Sequence, residues 1–304
     1  FHLSLWTNQR IFTMFNEAIT NDPTVFAIPV FIALIIVEVL INAKKNLNLY
    51  RFKDSAANIS MGLGSVVIGL LTKTFAFFVF LWIYQFRLFE IPNTWWMWGL
   101  LLLADDVTFY WYHRLAHQIR FFWAAHVQHH SSEYMNFSVA LRQSWGEPFI
   151  KFLFWLWLPF IGFHPIYILI MQAISLVYQF FPHTKLVGKL GPIEWIFNSP
   201  SHHRVHHATQ VQYLDKNHAG ILIIWDRMFG TFQKEIEVPI YGITENINSF
   251  SPLKIASHEY VNLWQDIRRA KKFSEKINYL IKPPGWSHDG ENRTSKELQR
   301  QLSK

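Results

Sequence analysis

The sequence predicts an all-α integral membrane protein, a bundle of about four membrane-spanning helices that carries a histidine-rich helical cap. Three observations lead to this fold class. Of the 304 residues, 51% are hydrophobic and 17% are aromatic, which exceeds the usage of ordinary soluble domains. Apolar runs long enough to cross the hydrocarbon core of a bilayer recur along the chain. Fifteen histidines are present, and most of them fall into short, regularly spaced groups.

The charge distribution and the absence of cysteine exclude several kinds of partner and metal site. A net charge of +7 would suit nucleic-acid binding, but the basic residues lie between apolar runs and form no polybasic face. Positively charged loops beside membrane spans explain this distribution, so no nucleic-acid partner is predicted. Because the sequence contains no cysteine, disulfides, thiolate-bound zinc and iron–sulfur clusters are excluded, and any metal must be held by His, Asp, Glu or amide groups.

Two long apolar runs predict the first pair of spans. The first, residues 23–41, contains a single charge at Glu38. The second, residues 59–84, contains Lys73, which either lines a polar cavity or extends its ammonium group to the membrane surface. Between them lies a basic cluster that the positive-inside rule places in the cytoplasm, made of Lys44, Lys45, Arg51 and Lys53.

A third span and a hairpin complete the predicted bundle. The third span ends at about Tyr112 and begins at an interfacial tryptophan belt, Trp95, Trp96 and Trp98. The hairpin consists of two shorter runs, residues 149–161 and 165–181, separated by Gly162. Counting crossings from the cytoplasmic basic cluster places residues 113–148 and everything from residue 183 onward on the cytoplasmic side.

The histidine groups have the spacing of metal ligands. His113 and His117 are four residues apart, so a helix presents both imidazoles on one face. Two further groups share the pattern H-x-x-H-H, and chance would produce such a triplet roughly 0.04 times in this length. They are His126, His129 and His130, and His203, His206 and His207.

Within each triplet, the two adjacent histidines can reach two neighbouring ions. A structural zinc site needs only four ligands, so the surplus favours two ions over one. A hydrogen-bonded core role is the ordinary alternative for a lone histidine, but not for eight patterned ones. Metal-storage tracts are typically hydrophilic and of low complexity, unlike these groups, which are embedded in helical and apolar contexts.

These residues resemble the fatty acid hydroxylase and sterol desaturase superfamily of integral membrane di-iron oxygenases. The resemblance spans roughly residues 60–235 and rests on Asp106-x6-His113-Arg114-x2-His117 together with the two triplets, the second within Ser201-His202-His203-Arg204-Val205-His206-His207. Two stretches, residues 129–144 and 223–232, are similar to the alkylglycerol monooxygenase branch. Residues 21–250 are therefore predicted to form the catalytic membrane domain, between an N-terminal segment at 1–20 and an amphipathic, polar tail at 251–304.

The resemblance also implies a further H-x3-H pair, whose positions here are Gln179 and His183. His183 is the ninth predicted ligand, and an amide oxygen of Gln179 or a water takes the other place. His202 adjoins the third group outside its spacing and is predicted to support a ligand instead of binding metal. For His218, surface exposure is predicted ahead of ligation.

Three carboxylates are candidate catalytic residues. Asp106 lies two helical turns before His113 and is predicted to accept the second ring N–H of a ligating histidine. Glu133 and Glu194 border the histidine groups. Each is predicted to be a ligand, a residue that supports a ligand, or a surface acid. The remaining histidines are assigned no role: His2, His164, His258 and His288.

The resemblance implies O2-dependent oxidation of an unactivated C–H bond in a lipid, which is an alkylglycerol ether lipid, a fatty acyl chain or a sterol. It implies two iron ions, which zinc can replace, and electrons from a reduced pterin or an external donor, either a protein or a small reductant. The product is an alcohol or, for a desaturase, an alkene. The lipid chain is predicted to enter from the bilayer through an apolar passage lined by Trp and Phe residues of the spans.

Two alternative functions fit the sequence less well than lipid oxidation. A metal transporter would carry polar residues along its spans, whereas the ligands here gather at one membrane face. A zinc hydrolase of the H-E-x-x-H type is excluded because Arg114 follows His113.

The tail carries its own prediction. A basic amphipathic stretch at residues 257–281 is predicted to lie on the membrane surface through a common apolar face of Val261, Trp264, Ile267 and Ile277. Residues 282–304 are charged and contain Pro283, Pro284 and Gly285, so they are predicted to be loosely held.

Overall fold

A computed structural model describes residues 22–302, and all regular structure within them is helical. The predicted N-terminal segment at 1–20, with His2, lies outside the described residues. Three long helices come first: α1 (Pro23–Lys45), α2 (Phe52–Tyr84) and α3 (Trp95–Gln118). Shorter helices follow: α4 (Arg120–His130), α5 (Pro148–Lys151), α6 (Trp157–Ile161), α7 (Pro165–Phe180), α8 (Pro200–His206), α9 (Ile224–Met228), α10 (Pro252–Arg269), α11 (Phe273–Ile281) and α12 (Ser295–Leu302). Single 3-10 turns lie at Phe137–Leu141, Phe152–Trp155, Gly191–Trp195 and Val211–Tyr213.

Helices α1 and α2 are long and apolar enough to cross a membrane. Their outward faces carry large apolar side chains, with Val66 71% and Leu71 72% exposed, as a lipid-facing surface requires. The other predicted crossings are either less uniformly apolar or shorter than α1 and α2. Helix α3 has 24 residues but contains Asp105 and Asp106, and the hairpin consists of the shorter segments Pro148–Ile161 and Pro165–Phe180. The count of four spans therefore stays a prediction.

The one acidic residue of α1 ties that helix to residues 113–148 and 183–250, the segments that carry the histidine groups and are called the cap below. Glu38 is 1% exposed and accepts hydrogen bonds from the Tyr50 hydroxyl at 2.5 Å, from the Phe137 amide at 2.7 Å and from the Thr184 hydroxyl. These three donors satisfy a carboxylate that would otherwise be costly to bury. At the other end of the bundle, Lys73 pairs with Asp22 at 3.5 Å and keeps a 56% exposed side chain, so it lies at the helix surface and not in a cavity.

An aromatic core fixes α3 against α2 and the hairpin. Its fully buried members include Phe80, Leu101 and Leu158. The hairpin turns at Gly162, whose φ of 131° is open to glycine but strained for other residues. A Cβ at Gly162 would also lie 2.2 Å from the Phe89 carbonyl oxygen. This packing holds the C-terminal end of α3, with His113 and His117, inside the cap.

The predicted amphipathic stretch is not one continuous face. It divides into α10 and α11 at Ala270, and Leu263 packs with Ala124 of α4, with Ile267 against them. Val261 and Trp264 instead point outward, with 47% and 61% exposure. The prediction of a common apolar face was therefore wrong. Of the residues whose spacing suggested one face, some pack against the protein and others lie on its outer surface.

The C-terminal region is also held more firmly than predicted. Arg120 forms ion pairs with Glu259 at 2.8 Å and Asp266 at 2.6 Å, which joins α4 to α10. In α12, the Gln299 amide donates to the carbonyl oxygens of Val211 and Leu214 at 3.1 and 2.9 Å. Residues 252–302 thus pack onto the cap, and the expectation of a loose ending was wrong.

Candidate metal centre

All nine predicted histidine ligands lie together in the cap, where they form two groups. In each group, one ring nitrogen per residue lies within 4.8 Å of the others. Group A consists of His113, His117, His126, His130 and His206, and group B consists of His129, His183, His203 and His207. All are buried except the half-buried His129. The groups adjoin, since the rings of His130 and His207 stack at 4.4 Å.

Helical spacing explains how each of the two triplets contributes to both groups. In α4, His126 and His130 are four residues apart and both point into group A, while His129 points into group B. The triplet of α8 is arranged in the opposite sense. Its His203 and His207 enter group B, and His206 enters group A. Adjacent histidines of each triplet therefore face different groups.

The ring nitrogens converge at distances that suit ligands of one ion. In group A, the Nε2 atom of His126 lies 2.9 Å from that of His113 and 3.1 Å from that of His130. In group B, Nε2 of His203 lies 2.9 Å from that of His183 and 3.0 Å from that of His207. Two nitrogens bound at right angles about 2.1 Å from one ion would be about 3.0 Å apart.

Unpartnered nitrogens support the same interpretation. Within residues 22–302, the buried Nε2 atoms of His117 and His206 have no hydrogen-bond partner. A buried polar atom without a partner costs about 1–3 kcal/mol, and a metal ion in group A would remove that cost. An all-nitrogen imidazole set fits iron and also accepts zinc.

Six of the nine predicted ligands have an outer ring nitrogen that faces a hydrogen-bond acceptor. Four Nδ1 atoms lie at hydrogen-bonding distance from backbone carbonyl oxygens: His113 from His218 at 2.7 Å, His206 from Lys216 at 2.9 Å, His129 from Arg142 at 3.2 Å and His183 from Gln179 at 2.8 Å. Two others face carboxylates, His126 with Glu147 at 3.4 Å and His117 with Asp215 at 3.7 Å. With Nδ1 donating outward, Nε2 is free to bind an ion.

Burial favours the neutral form of two of the ligand imidazoles, His130 and His183. Burial, with the neighbouring His207 and His206, holds the pKa of His130 well below its usual range. Burial likewise lowers the pKa of His183 to about 4. Neutral imidazole is the form that binds metal ions, so the ligands require no deprotonation at neutral pH.

His218 is buried and not exposed, contrary to the sequence prediction. It has 0% exposure, and its ring centroid lies 5.0 Å from that of His117 and 5.7 Å from that of His206. Among the described residues, neither of its ring nitrogens has a hydrogen-bond partner. Its backbone is fixed by Asp226, which accepts from the His218 amide at 2.8 Å. The polar composition of this loop suggested solvent, but the folded loop closes over group A.

His202 and Gln179 lie outside both groups. The buried His202 ring packs edge-on against Phe232 at 5.3 Å. The Gln179 amide nitrogen donates to the Ser175 hydroxyl at 2.9 Å, while its backbone carbonyl holds His183. Gln179 therefore contacts a predicted ligand through its main chain and not through its side chain.

Asp106 does not accept from a ligand histidine, so that prediction was wrong. Its carboxylate, 0% exposed, accepts from the amides of Ile221 and Leu222 at 2.7 and 2.8 Å and from the Trp225 indole at 2.9 Å. The helix face was predicted correctly, but what lies opposite it is the loop after His218. Asp106 thus anchors the loop whose carbonyl at His218 holds His113.

Glu133 and Glu194 are not in either histidine group. Glu133 is exposed. Glu194 accepts from the hydroxyl groups of Ser199 and Ser201 at 2.7 and 2.8 Å, at the start of α8. Glu194 therefore stabilises the beginning of the helix that carries the third histidine group.

A cavity of about 750 Å³ reaches group A from the polar side of the cap. His117, His130 and His206 lie on its wall, beside Trp123. Much of the remaining wall comes from α10 and residues 284–298, with polar or charged side chains that include Glu259, Asp266, Arg269 and Arg293. Arg120 of α4 and residues 208–209, 214–215 and 242–245 complete it. This cavity differs from the apolar passage between spans that the sequence predicted, because the cap and the C-terminal region form its walls.

Comparison with known proteins agrees with the geometry. A family profile described as fatty acid hydroxylase matches residues 98–231. Alkylglycerol monooxygenase of Xenopus tropicalis is 38% identical over 259 residues, which is 84% of this chain and 58% of the relative. The proteins of that name from Homo sapiens and Danio rerio are 38% and 39% identical, each over 86% of this chain and 59% of the relative. The chain thus spans less than two thirds of these relatives. No solved structure shows a significant match.

Proposed function

We propose, from the match of residues 98–231 to the fatty acid hydroxylase profile, that the chain is an integral membrane monooxygenase that hydroxylates an unactivated C–H bond of a lipid with O2. The observation that carries the proposal is the pair of adjoining groups of five and four histidines. The names of the relatives favour an alkylglycerol ether lipid as substrate over a fatty acyl chain or a sterol.

We assign the nine histidines of groups A and B as the ligands of two iron ions, which zinc can replace during preparation. Bound iron would supply the O2 and one-electron chemistry that side chains lack. The protein contributes the ligand positions through Asp106 and Glu194, which hold the loops and helices that bear them. His218 offers an additional imidazole beside group A. Glu133, exposed and away from both groups, has no part in this assignment.

We propose that the lipid and the electrons reach the metals from different sides. The exposed apolar side chains of α1 and α2 support arrival of the lipid from a bilayer. The polar cavity opens onto group A and has the size of a small-molecule site. We propose that electrons arrive there, from a reduced pterin or from an external donor that is a protein or another small reductant.

The proposed reaction can be tested by tracing oxygen atoms from O2 into the lipid product. Purified, iron-loaded protein is incubated with an alkylglycerol, a reduced pterin and ¹⁸O2, and the lipid products are analysed by mass spectrometry. A hydroxylase incorporates one ¹⁸O atom into the oxidised lipid. A desaturase produces an alkene without ¹⁸O, which would replace hydroxylation by the alternative activity. No oxidised lipid with any alkylglycerol, acyl lipid or sterol would contradict the proposed function.

Metal content provides a second expected result. Nine converging imidazoles exceed what one ion can bind, so we expect two metal ions per chain in active protein. Elemental analysis of the purified protein, normalised to amino-acid content, measures this ratio. Fully active protein with one ion or none would contradict the assignment of both groups.

Sidedness is the third expected result. The cap and the basic cluster lie at one end of the bundle, since the Asn136 amide donates to the Leu49 carbonyl at 2.6 Å. By the positive-inside rule, this arrangement favours a metal centre on the cytoplasmic side, which we propose. Because the sequence lacks cysteine, single cysteines can be introduced at exposed Glu133, Lys234 and Asn93 and labelled with an impermeant maleimide. We expect the first two to react only from the cytoplasmic side and the third only from outside.

Labelling of Glu133→Cys and Lys234→Cys from opposite sides would contradict a shared cap. Labelling of both from outside would leave the shared cap intact but reverse its sidedness.

A further inference from the structure

The two histidine groups differ in what holds their ligands. In group A, His126 and His117 face the carboxylates of Glu147 and Asp215. In group B, the outer nitrogens of His129 and His183 face backbone carbonyl oxygens, and no described carboxylate lies at hydrogen-bonding distance from a ring of this group. Group A also has five imidazoles where group B has four. The two metal positions are therefore chemically unequal.

A carboxylate behind a ligating imidazole changes the ligand itself. It fixes the tautomer and ring orientation, and it raises the basicity of the nitrogen that faces the metal. Loss of such a partner typically lowers metal affinity about 10–100-fold. A backbone carbonyl fixes the orientation as well, but it carries no negative charge. Both the carboxylates and the extra imidazole thus favour the ion of group A.

Glu147 is well placed for this role. It directly precedes α5, its side chain is 14% exposed, and Lys151 pairs with its second oxygen at 3.5 Å. The Lys151 ammonium beside this carboxylate favours its charged form. Asp215 lies farther from its histidine, at 3.7 Å, and is 24% exposed.

We propose that Glu147 and Asp215 are positioning residues that make group A the tighter of two unequal metal sites, with group B binding its ion more weakly. This inference rests on the metal assignment of the proposed function, but not on its substrate or reaction. It also means that partly loaded protein carries its ion in group A.

Metal titration of the full chain tests the proposal without reference to turnover. Metal-depleted protein in detergent is titrated with Co²⁺ against a chelating indicator, and the visible spectrum of bound Co²⁺ is followed. We expect two resolved steps of one ion each. Replacing the group A ligand with His113→Ala should remove the tighter step, and the group B change His183→Ala should remove the weaker one.

The variant Glu147→Gln keeps the shape of the side chain and removes its charge. We expect it to weaken the tighter step about 10–100-fold and leave the weaker step unchanged. Asp215→Asn should act on the same step with a smaller effect, because its contact is longer and more exposed. The matched control is Glu237→Gln, an exposed glutamate on the cap whose loss should change neither step.

The outcomes separate this inference from the proposed function. Two equal steps in the unmodified protein, or an equal weakening of both steps by Glu147→Gln, would overturn the inequality while leaving a di-metal site. A charge-removing variant without effect on the tighter step would overturn the role of Glu147. Binding of no Co²⁺ at all would instead contradict the metal assignment on which the proposed function depends.

Discussion

Replacing His129 or His206 with Ala is expected to reduce lipid oxidation by more than about 100-fold, because each removes a ligand and not merely its support. His206 belongs to group A and His129 to group B, so the two variants test both metal positions. We also expect each purified variant to lose part of its metal. Turnover and elemental analysis on the same preparations measure both effects.

Two histidines outside the centre serve as controls. His164 accepts a hydrogen bond from the Ile166 amide at 3.3 Å at the start of α7, and His288 contacts the Tyr279 hydroxyl at 2.8 Å. Their replacement by Ala should leave two ions per chain and near-normal turnover, although His164→Ala should lower stability by about 1 kcal/mol through loss of the cap. Equal loss of activity in the control variants would remove the basis for the ligand assignment.

The sequence predicted the histidine groups well because their geometry is local. A spacing of three or four residues on a helix places side chains on one face regardless of the rest of the fold. His183 was found differently, since its position follows a pattern implied by family resemblance. The structure brings it to His203, 20 residues away in sequence, with 2.9 Å between Nε2 atoms.

The partners of the ligands could not be predicted from local spacing. Glu147 was not singled out from the sequence, because its contact with His126 crosses 21 residues of sequence. Asp106 shows the same limit, because periodicity gave its helix face but not the loop opposite. His218 was assigned to solvent from the polarity of its neighbours, yet the Asp226 carboxylate turns that loop inward.

Apolar periodicity was equally ambiguous in the C-terminal region. A helix with one apolar face packs as readily on protein as on a membrane surface, and only the partner decides between them. Leu263 and Ile267 meet Ala124 on α4, so one side of this helix is used within the protein, whereas Val261 and Trp264 stay exposed. The polar cavity over group A, which forms between α4 and this region, therefore had no signature in the sequence.

A buried ion pair links group B to the second candidate span. Arg142 is 1% exposed and contacts the Asp54 carboxylate at 3.2 Å and the Asn58 side-chain oxygen at 2.9 Å, both on α2. Its guanidinium also donates to the Gln128 carbonyl at 3.1 Å, and its own carbonyl holds the His129 ring at 3.2 Å. The orientation of a group B ligand thus depends on the contact between Arg142 and Asp54, which are 88 residues apart in sequence.

Replacing Arg142 with Met should therefore destabilise the protein by about 3–5 kcal/mol, since it leaves the Asp54 charge buried without its cation. The expected fall in Tm is on the order of 10 °C, measured by thermal unfolding in detergent. The double variant with Asp54→Asn removes the stranded charge and should recover part of the loss, giving a coupling energy above about 1 kcal/mol. The control Lys272→Met breaks a pair whose lysine is 78% exposed and should leave the Tm nearly unchanged. Similar losses in Arg142→Met and the control would show that the buried pair contributes no more than a surface one, and additive losses in the double variant would separate Asp54 from Arg142.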